Sequence, residues 1–315
     1  MQFNLAGFVI RALALAKRKR AMTVDQFVQT TLGGLAIGCI YSLIALGISM
    51  IIRATDILHF AQGEMLMIGS MTGLSAFWLH DMPFAFVLLA GILGGGLVSM
   101  LIELVVYRTL RLRRVSLINI MIATLGVSIV LQNVARLVWG SEPLRYPSLF
   151  ASKGTVFAGF AVSPQLLWIV LLSGLIMGVL IVFFRYARLG IAMQAAAQDP
   201  DVAKLMGISV DRTTTYTFAI SGMMAGAAGV LLGSLFFASF NMGFITGIKA
   251  FVAATLGGLG SVAGAMIGGL IFGVIETFSG MLISTAYKDA VGMVVLIAIL
   301  LFMPTGLLTR GGREV

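Results

Sequence analysis

The chain has 315 residues, of which 59% are hydrophobic and 10% are charged, and its mean hydropathy is +1.06. A soluble domain has roughly 45–50% apolar and about 25% charged residues, so a chain with so few charges could not cover a water-facing surface. The net charge of +9 does not indicate nucleic-acid binding, because the basic residues cluster in a few loops between apolar runs. Composition therefore predicts an all-α integral membrane protein with lipid as its solvent.

The apolar stretch at 3–15 is too short to cross a membrane, is interrupted by Arg11, and precedes the basic cluster 17–20. This order is unlike that of a signal peptide, in which the basic residues come first. We expect an interfacial amphipathic helix or a frayed tail here. The predicted organisation is an N-terminal cytoplasmic or interfacial extension, a single transmembrane domain and a cytoplasmic tail, at 1–26, 27–309 and 310–315.

Eight apolar stretches approach the length of about 20 residues that a transmembrane helix needs. They predict a polytopic helical bundle of about eight long helices, to which two short broken or re-entrant segments are added below. The stretches are 27–52, 64–79, 84–106, 115–139, 164–184, 216–240, 262–284 and 290–303.

Lys and Arg mark the cytoplasmic side of a membrane protein. The loop 107–114 and the stretch 185–215 are rich in these residues, as are the cluster 17–20 and the C-terminal tail. We place all four in the cytoplasm. The loop 140–163 is poorer in positive charge and is flanked by tryptophans, so we place it outside.

This orientation leaves an odd number of helices in each half of the chain. One unrecognised crossing in each half would repair it, and the candidates are 53–63 and 243–260, each of which is short, polar or broken by glycine. Each half then shows the order long, short, long, long, which suggests a weak parallel repeat of 27–106 and 216–303. Paired broken segments in two halves indicate a transport pathway, although re-entrant loops without substrate contact remain the alternative.

The broken segments provide most of the predicted pathway or gate residues. Ionisable groups at membrane depth cost about 2.5–3.5 kcal/mol each on insertion scales, which favours a functional role for those found there. We expect Arg53 and Asp56 to be able to pair on one helical face, Glu103 to be interfacial and solvated, and Glu276 to be deeper with no evident partner. The predicted pathway set is Asp56, His59, Phe60, Gln62, Gly63, Glu64, Lys249, Phe251, Gly257, Gly258, Gly260 and Ser261.

Catalytic chemistry is not expected of this chain. It has no Gly-x-x-x-x-Gly-Lys-Ser/Thr motif, so it cannot hydrolyse ATP in the P-loop manner. His59 and Glu64 alone do not make a metal-ligand set, and the lone Cys39 excludes an intrachain disulfide. We therefore predict no enzyme activity, no metal site and no cofactor.

The stretch 185–215 is long for a connection between membrane helices. Its alanines at 195–197 favour a helix, and Asp199 followed by Pro200 predicts the cap and first residue of a second short helix that Gly207 ends. Val202, Leu205 and Met206 form an apolar face on this second helix. Such a face could dock into a groove of a partner, the alternative being a helix that lies on the lipid surface.

Four stretches, read in this order and spacing, resemble the permease subunits of bacterial branched-chain amino-acid ABC importers, a family with relatives for urea and short amides. They are 38–47, 57–64, 190–208 and 249–265, and the resemblance extends from about residue 27 to 309. It implies that 190–208 is a coupling helix for a cytoplasmic ATPase. The coupling residues would be Gly190, Ala195, Ala196, Asp199, Ala203, Leu205, Gly207 and Ile208.

The resemblance further implies a non-catalytic subunit of the bacterial inner membrane that works by alternating access. Its partners would be a second permease subunit, two cytoplasmic ABC ATPases, a periplasmic substrate-binding protein and membrane lipid, with no nucleic acid. The alternative is an ion-coupled secondary transporter or a channel for a small polar solute such as urea, in which Asp56, Glu64 or Glu276 carries protons or cations. A secondary carrier has no need of the docking helix at 190–208.

Overall fold

The computed structural model describes residues 24–80, 83–146, 155–157, 160–282, 284–303 and 306–307. It is a helical bundle, as composition predicts, and it also contains one small β-hairpin. The elements are α1 (Val24–Thr55), α2 (Gln62–His80), α3 (Phe84–Ile102), a π-helical turn (Glu103–Tyr107), α4 (Arg108–Leu112), α5 (Leu117–Trp139), β1 (Thr155–Phe157), β2 (Phe160–Val162), α6 (Pro164–Tyr186), α7 (Arg188–Gln198), α8 (Pro200–Leu205), α9 (Val210–Leu235), α10 (Met242–Gly257), α11 (Val262–Leu282), a 3₁₀ turn (Thr285–Tyr287) and α12 (Lys288–Phe302).

Each of the eight predicted apolar stretches lies largely in a helix, and six helices within the described residues are long and apolar enough to cross a membrane. The central positions belong to α1 and α9, whose most apolar windows are 89% and 78% buried. By contrast, those of α5 and α6 are only 17% and 22% buried. Apolar side chains on α5 and α6 therefore face outward, as expected where the surrounding solvent is lipid.

Glycines bring the central helices into backbone contact. A Cβ atom at Gly69 of α2 would overlap the backbone of Gly226 on α9, and one at Gly95 of α3 would lie 2.5 Å from the carbonyl oxygen of Gly222. On the other side of the bundle, a Cβ at Gly38 of α1 would lie 2.9 Å from the Leu270 Cα of α11. Small residues allow this close approach, which gives helices in lipid their van der Waals attraction.

The direction of α1 corrects the predicted orientation. Its last turns, at Met50 and Ala54, line one cavity with Gln194 of α7, so α1 ends where the basic loops lie. Its first half, at Ile37, lines a different cavity with Pro143. We call these two ends of the bundle the basic end and the far end. The prediction that α1 enters from the basic end is wrong, while residues 1–23 lie outside the described part of the chain.

This direction also removes the need for an extra crossing in the first half. Segment 56–61 is a non-helical break between α1 and α2, and no additional helix lies there, so that prediction is wrong. In the second half, α10 joins α9, α11 and α12 as a fourth helix after the basic stretch 185–215. The odd count in the first half arose from α1, which begins at the far end, and the odd count in the second half arose from the omission of α10.

The repeat is inverted, where the sequence suggested a parallel one. The helix α1 runs from the far end to the basic end, whereas α9 passes Thr217 at the basic end before it reaches Leu232 at the far end. The two breaks, 56–61 and 236–241, follow these central helices. They bring the first turns of α2 and α10 together, where a Cβ at Gly63 would overlap the carbonyl group of Gly243.

We expect Gly69→Val to destabilise the bundle, because the added side chain must displace the backbone of Gly226. Overpacking of a tight interior costs about 1–3 kcal/mol, and more where backbone must move. The apparent melting temperature in detergent and the monodisperse fraction should both fall. The matched control is Gly178→Val on α6, where no described atom lies within 4 Å of an added Cβ. Equal behaviour of the two variants would contradict this account of the packing.

Candidate functional site

The second of the two short helices at the basic end, α8, is capped as the sequence predicts. Asp199 Oδ1 accepts hydrogen bonds from the backbone amides of Asp201 and Val202, both at 3.0 Å. Pro200 is the first residue of α8, and Gly207 adopts a φ of +82° just beyond the end of that helix. Glycine tolerates this left-handed conformation and therefore stops the helix at that point.

The predicted coupling residues divide into an inner and an outer set. Gly190, Ala196 and Ala203 are buried, whereas Ala195 and Ile208 are half-buried and Asp199, Leu205 and Gly207 are exposed. The apolar face of α8 is the outer surface: Val202, Leu205 and Met206 are 53%, 87% and 77% exposed. We call these three residues the α8 patch. It offers apolar surface at the basic end with nothing in the described chain covering it.

The helix α7 forms one wall of a cavity of about 580 Å³ at the basic end. The other walls come from α1, α6, α9 and α11, through side chains such as Arg53, Phe184, Thr217 and Met266. Gln194 of α7 also donates a hydrogen bond of 2.9 Å to the Phe184 carbonyl oxygen. A displacement of α7 would therefore be transmitted directly to the membrane helices around this cavity.

The break between α1 and α2 leads into a buried polar cluster. Glu64, in the first turn of α2, is fully buried, and its Oε1 accepts from Ser128 Oγ and Gln132 Nε2, both at 2.8 Å. Gln62 donates to the Ser221 carbonyl oxygen at 3.1 Å. These bonds connect α2 to α5 and α9 inside the bundle. The partners on α5 and α9 were not predicted, although each is a polar residue within an apolar helix.

The remaining predicted residues of this break are not part of that cluster. His59 is buried, and its ring lies 5.2 Å from Tyr107 and 5.3 Å from Phe218, measured between centroids. Asp56 and Phe60 are exposed, and the possible pairing of Asp56 with Arg53 does not occur. Among the described residues, no group of three His, Cys, Asp or Glu side chains could hold a metal ion.

In the second half, Lys249 of α10 is an ionic partner of Glu276, for which the sequence indicated no partner. Its Nζ lies 2.6 Å from Glu276 Oε1 and 2.6 Å from Asp289 Oδ1. Lys288 Nζ lies 3.7 Å from the same Glu276 oxygen. We call these four residues the ionic cluster. It connects α10, α11 and α12, and Glu276 therefore has two cationic partners that are distant in sequence.

The two segments that the sequence predicted to be broken, 53–63 and 243–260, meet at one place and separate at others. Phe60 and Phe251 lie near each other, with ring centroids 6.5 Å apart, and Gly63 packs against α10. The turn 257–261 lies elsewhere, because a Cβ at Gly260 would be 3.9 Å from Arg53 Cβ at the basic end. In this turn Gly258 and Gly260 have positive φ and Ser261 Oγ accepts from the Gly264 amide. The predicted pathway residues thus do not form a single pocket.

Glu103 requires a correction. We expected this carboxylate to be solvated, but it is fully buried, and Arg111 binds both of its oxygens at 2.5 and 3.1 Å. The widened π-helical turn 103–107 brings the two side chains onto one face over a spacing of eight residues. The sequence contains the arginine but no sign of the π-helical turn.

Comparison with known proteins places this arrangement in a family. Residues 30–300 match the family model described as the permease component of branched-chain amino acid transport systems. The chain belongs to this family. The permease is 40% identical to the high-affinity branched-chain amino acid transport system permease protein LivH of Salmonella typhimurium, over 90% of this chain and 96% of the relative.

Other relatives range from close to distant. The permease protein BraD of Pseudomonas aeruginosa is 36% identical, over 91% of this chain and 97% of its own length. The xylose transport system permease protein XylH of Escherichia coli is 32% identical over only 45% of this chain and 37% of its own. No solved structure matches the permease. The family assignment therefore rests on full-length similarity to branched-chain amino acid permeases.

We expect Lys249→Gln to destabilise the permease, because it removes a cation from the fully buried Glu276. Breaking a buried pair costs roughly 3–5 kcal/mol, and we expect the lower part of that range since Lys288 remains nearby. The matched control is Lys204→Gln, which breaks the exposed pair with Asp201 and should cost about 0–1 kcal/mol. Thermal denaturation in detergent measures both, and a Lys249→Gln variant as stable as the control would refute the buried pairing.

Proposed function

We propose that the permease is the membrane-spanning, non-catalytic subunit of an ATP-driven importer for branched-chain or related amino acids. In this proposal two cytoplasmic ATPases dock on the α7–α8 segment, and their closure moves the helices attached to it. A second permease subunit completes the pathway, and a periplasmic binding protein delivers the substrate. The complex resides in the inner membrane of a bacterium. The observation that carries the proposal is the α8 patch, an exposed apolar surface on a helix outside the membrane helices.

The attachment of α7 supports the coupling role. This helix packs against α6, α1 and α9, so it contacts both central helices of the inverted repeat. Gly190 lies at the turn from α6 into α7, where a Cβ would be 2.5 Å from the Phe183 carbonyl oxygen. Because α7 packs so tightly against the end of α6, a docked partner that displaces α7 would displace α6 as well. An energy source is needed from outside, because the chain has no nucleotide-binding motif of its own.

The inverted repeat supports alternating access. In many transporters, repeats of opposite orientation rock against each other around broken helices near the membrane centre. Here the two breaks follow the two central helices, and the first turns of α2 and α10 meet between them. Movement of α1 against α9 would open this meeting point toward one end and close it toward the other.

The coupling role predicts that Leu205→Asp abolishes ATP-driven uptake while the protein still inserts and folds. A carboxylate placed in an apolar groove loses its hydration, and we expect a loss of about tenfold or more in ATPase binding. The assay is ATP-dependent uptake of radiolabelled leucine into proteoliposomes that contain the permease, its ATPases, its partner permease and the binding protein. Pull-down of the ATPase by the purified permease provides the binding measurement.

The matched control for this experiment is Leu112→Asp, because Leu112 is also apolar, 68% exposed and at the basic end, but lies outside α7 and α8. It should retain binding and uptake. Unchanged uptake by Leu205→Asp would overturn the docking role of the α8 patch. Uptake by the permease alone, driven by an ion gradient without any ATPase, would instead support a secondary transporter.

A further inference from the structure

The far end of the permease contains a cavity of about 370 Å³ beside the ionic cluster. Tyr41, Lys249 and Lys288 line it together with a largely apolar wall. Its volume is within the range of about 300–1,000 Å³ that small-molecule sites occupy. Apolar walls with a few convergent polar groups are the usual composition of such sites. The cavity thus has the size and lining of a site for a small amphipathic molecule.

One cation of the cavity has unused bonding capacity. Lys249 is held by Glu276 and Asp289, both at 2.6 Å. Lys288 lies 3.7 Å from Glu276, which is beyond a hydrogen bond, and its ammonium group donates no hydrogen bond to the described residues. Its side chain is only 22% exposed. A lysine at the wall of a cavity whose ammonium group donates to none of the described residues is suited to an anionic oxygen.

We propose that this cavity binds a zwitterionic aliphatic amino acid, with the ligand's carboxylate on Lys288 and its side chain against Ile37, Leu232 and Phe236. The inference rests on the proposed function and adds the entry site of its substrate and the groups that would hold it there. The three apolar residues belong to α1, to α9 and to the break after α9. The ligand would therefore contact both central helices at the end opposite α7.

The charge balance of the ionic cluster favours a zwitterionic ligand over a ligand with a net charge. The ionic cluster contains two ammonium groups and two carboxylates, so it is neutral as a whole. A zwitterionic ligand preserves this balance, whereas a net charge beside an apolar wall is costly to bury. Asp289 does not line the cavity itself but binds Lys249, which does. It uses one oxygen for that bond and its side chain is 67% exposed, so in this proposal its second oxygen accepts from the ligand's ammonium group. A neutral amide such as urea would leave Lys288 with Glu276, 3.7 Å away, as its anionic partner and would add no carboxylate within hydrogen-bond distance.

A single-cysteine experiment tests this site without relying on transport. Ser239 lines the cavity, and Cys39 is the chain's one cysteine, so Ser239→Cys in a Cys39→Ala background places a unique thiol in the cavity. The purified permease is reacted with a negatively charged and with a positively charged methanethiosulfonate. We expect L-leucine to slow the reaction and L-leucinamide, which lacks the carboxylate, to protect much less. Lys288→Gln should lower the rate with the anionic reagent about threefold or more and remove the protection by leucine.

The control thiol is Ser141→Cys in the same background, since Ser141 is exposed in the far-end loop and does not line the cavity. Its reaction rates should depend on neither leucine nor Lys288. Equal protection by leucine and leucinamide, or protection that survives Lys288→Gln, would overturn the carboxylate site. The labelling needs no ATPase, so a failure here with intact ATP-driven uptake rejects this site alone. Leucine protection without ATP-driven uptake would reject the importer and retain the site.

Discussion

Backbone contact at glycine between α9 and its neighbours is the constraint on which the rest of the structure depends. Lipid tails are as apolar as the helix surfaces, so the hydrophobic effect does not hold membrane helices together, and close van der Waals packing must. Gly222 and Gly226 let α9 touch α2 and α3, and Gly38 gives α1 the same contact with α11. Two central helices fixed in this way determine where every break, charge and cavity lies.

The breaks after α1 and α9 place polar groups inside the bundle with their partners. Glu64 is bonded from α5, and Glu276 is paired from α10 and α12, so each buried carboxylate links separate helices of the bundle. Uncompensated, such charges would oppose insertion by a few kcal/mol each. Satisfied, they are specific links between the helices of the bundle. The proposed amino-acid site uses the end of this same network.

The two ends of the permease have different chemistry. At the basic end, α7 joins both central helices to an exposed apolar patch suited to a partner protein. At the far end, a cavity with Lys288 at its wall is suited to a small zwitterion. The central helices α1 and α9 extend from one end to the other and line the cavities at both ends. This connection is the physical route by which docking at one end would control access at the other.

The sequence by itself determined the fold class, the helices and the caps of α8, because these depend on local composition, on apolar length and on residues such as Asp199, Pro200 and Gly207. Its four local motifs were also sufficient to indicate the family. Only the tertiary structure decided that α1 begins at the far end, that the repeat is inverted, and that Glu103 and Glu276 are paired. The reason is physical: direction and pairing depend on which helices touch, and contacts such as Lys249 with Glu276 join residues whose spacing follows no local periodicity.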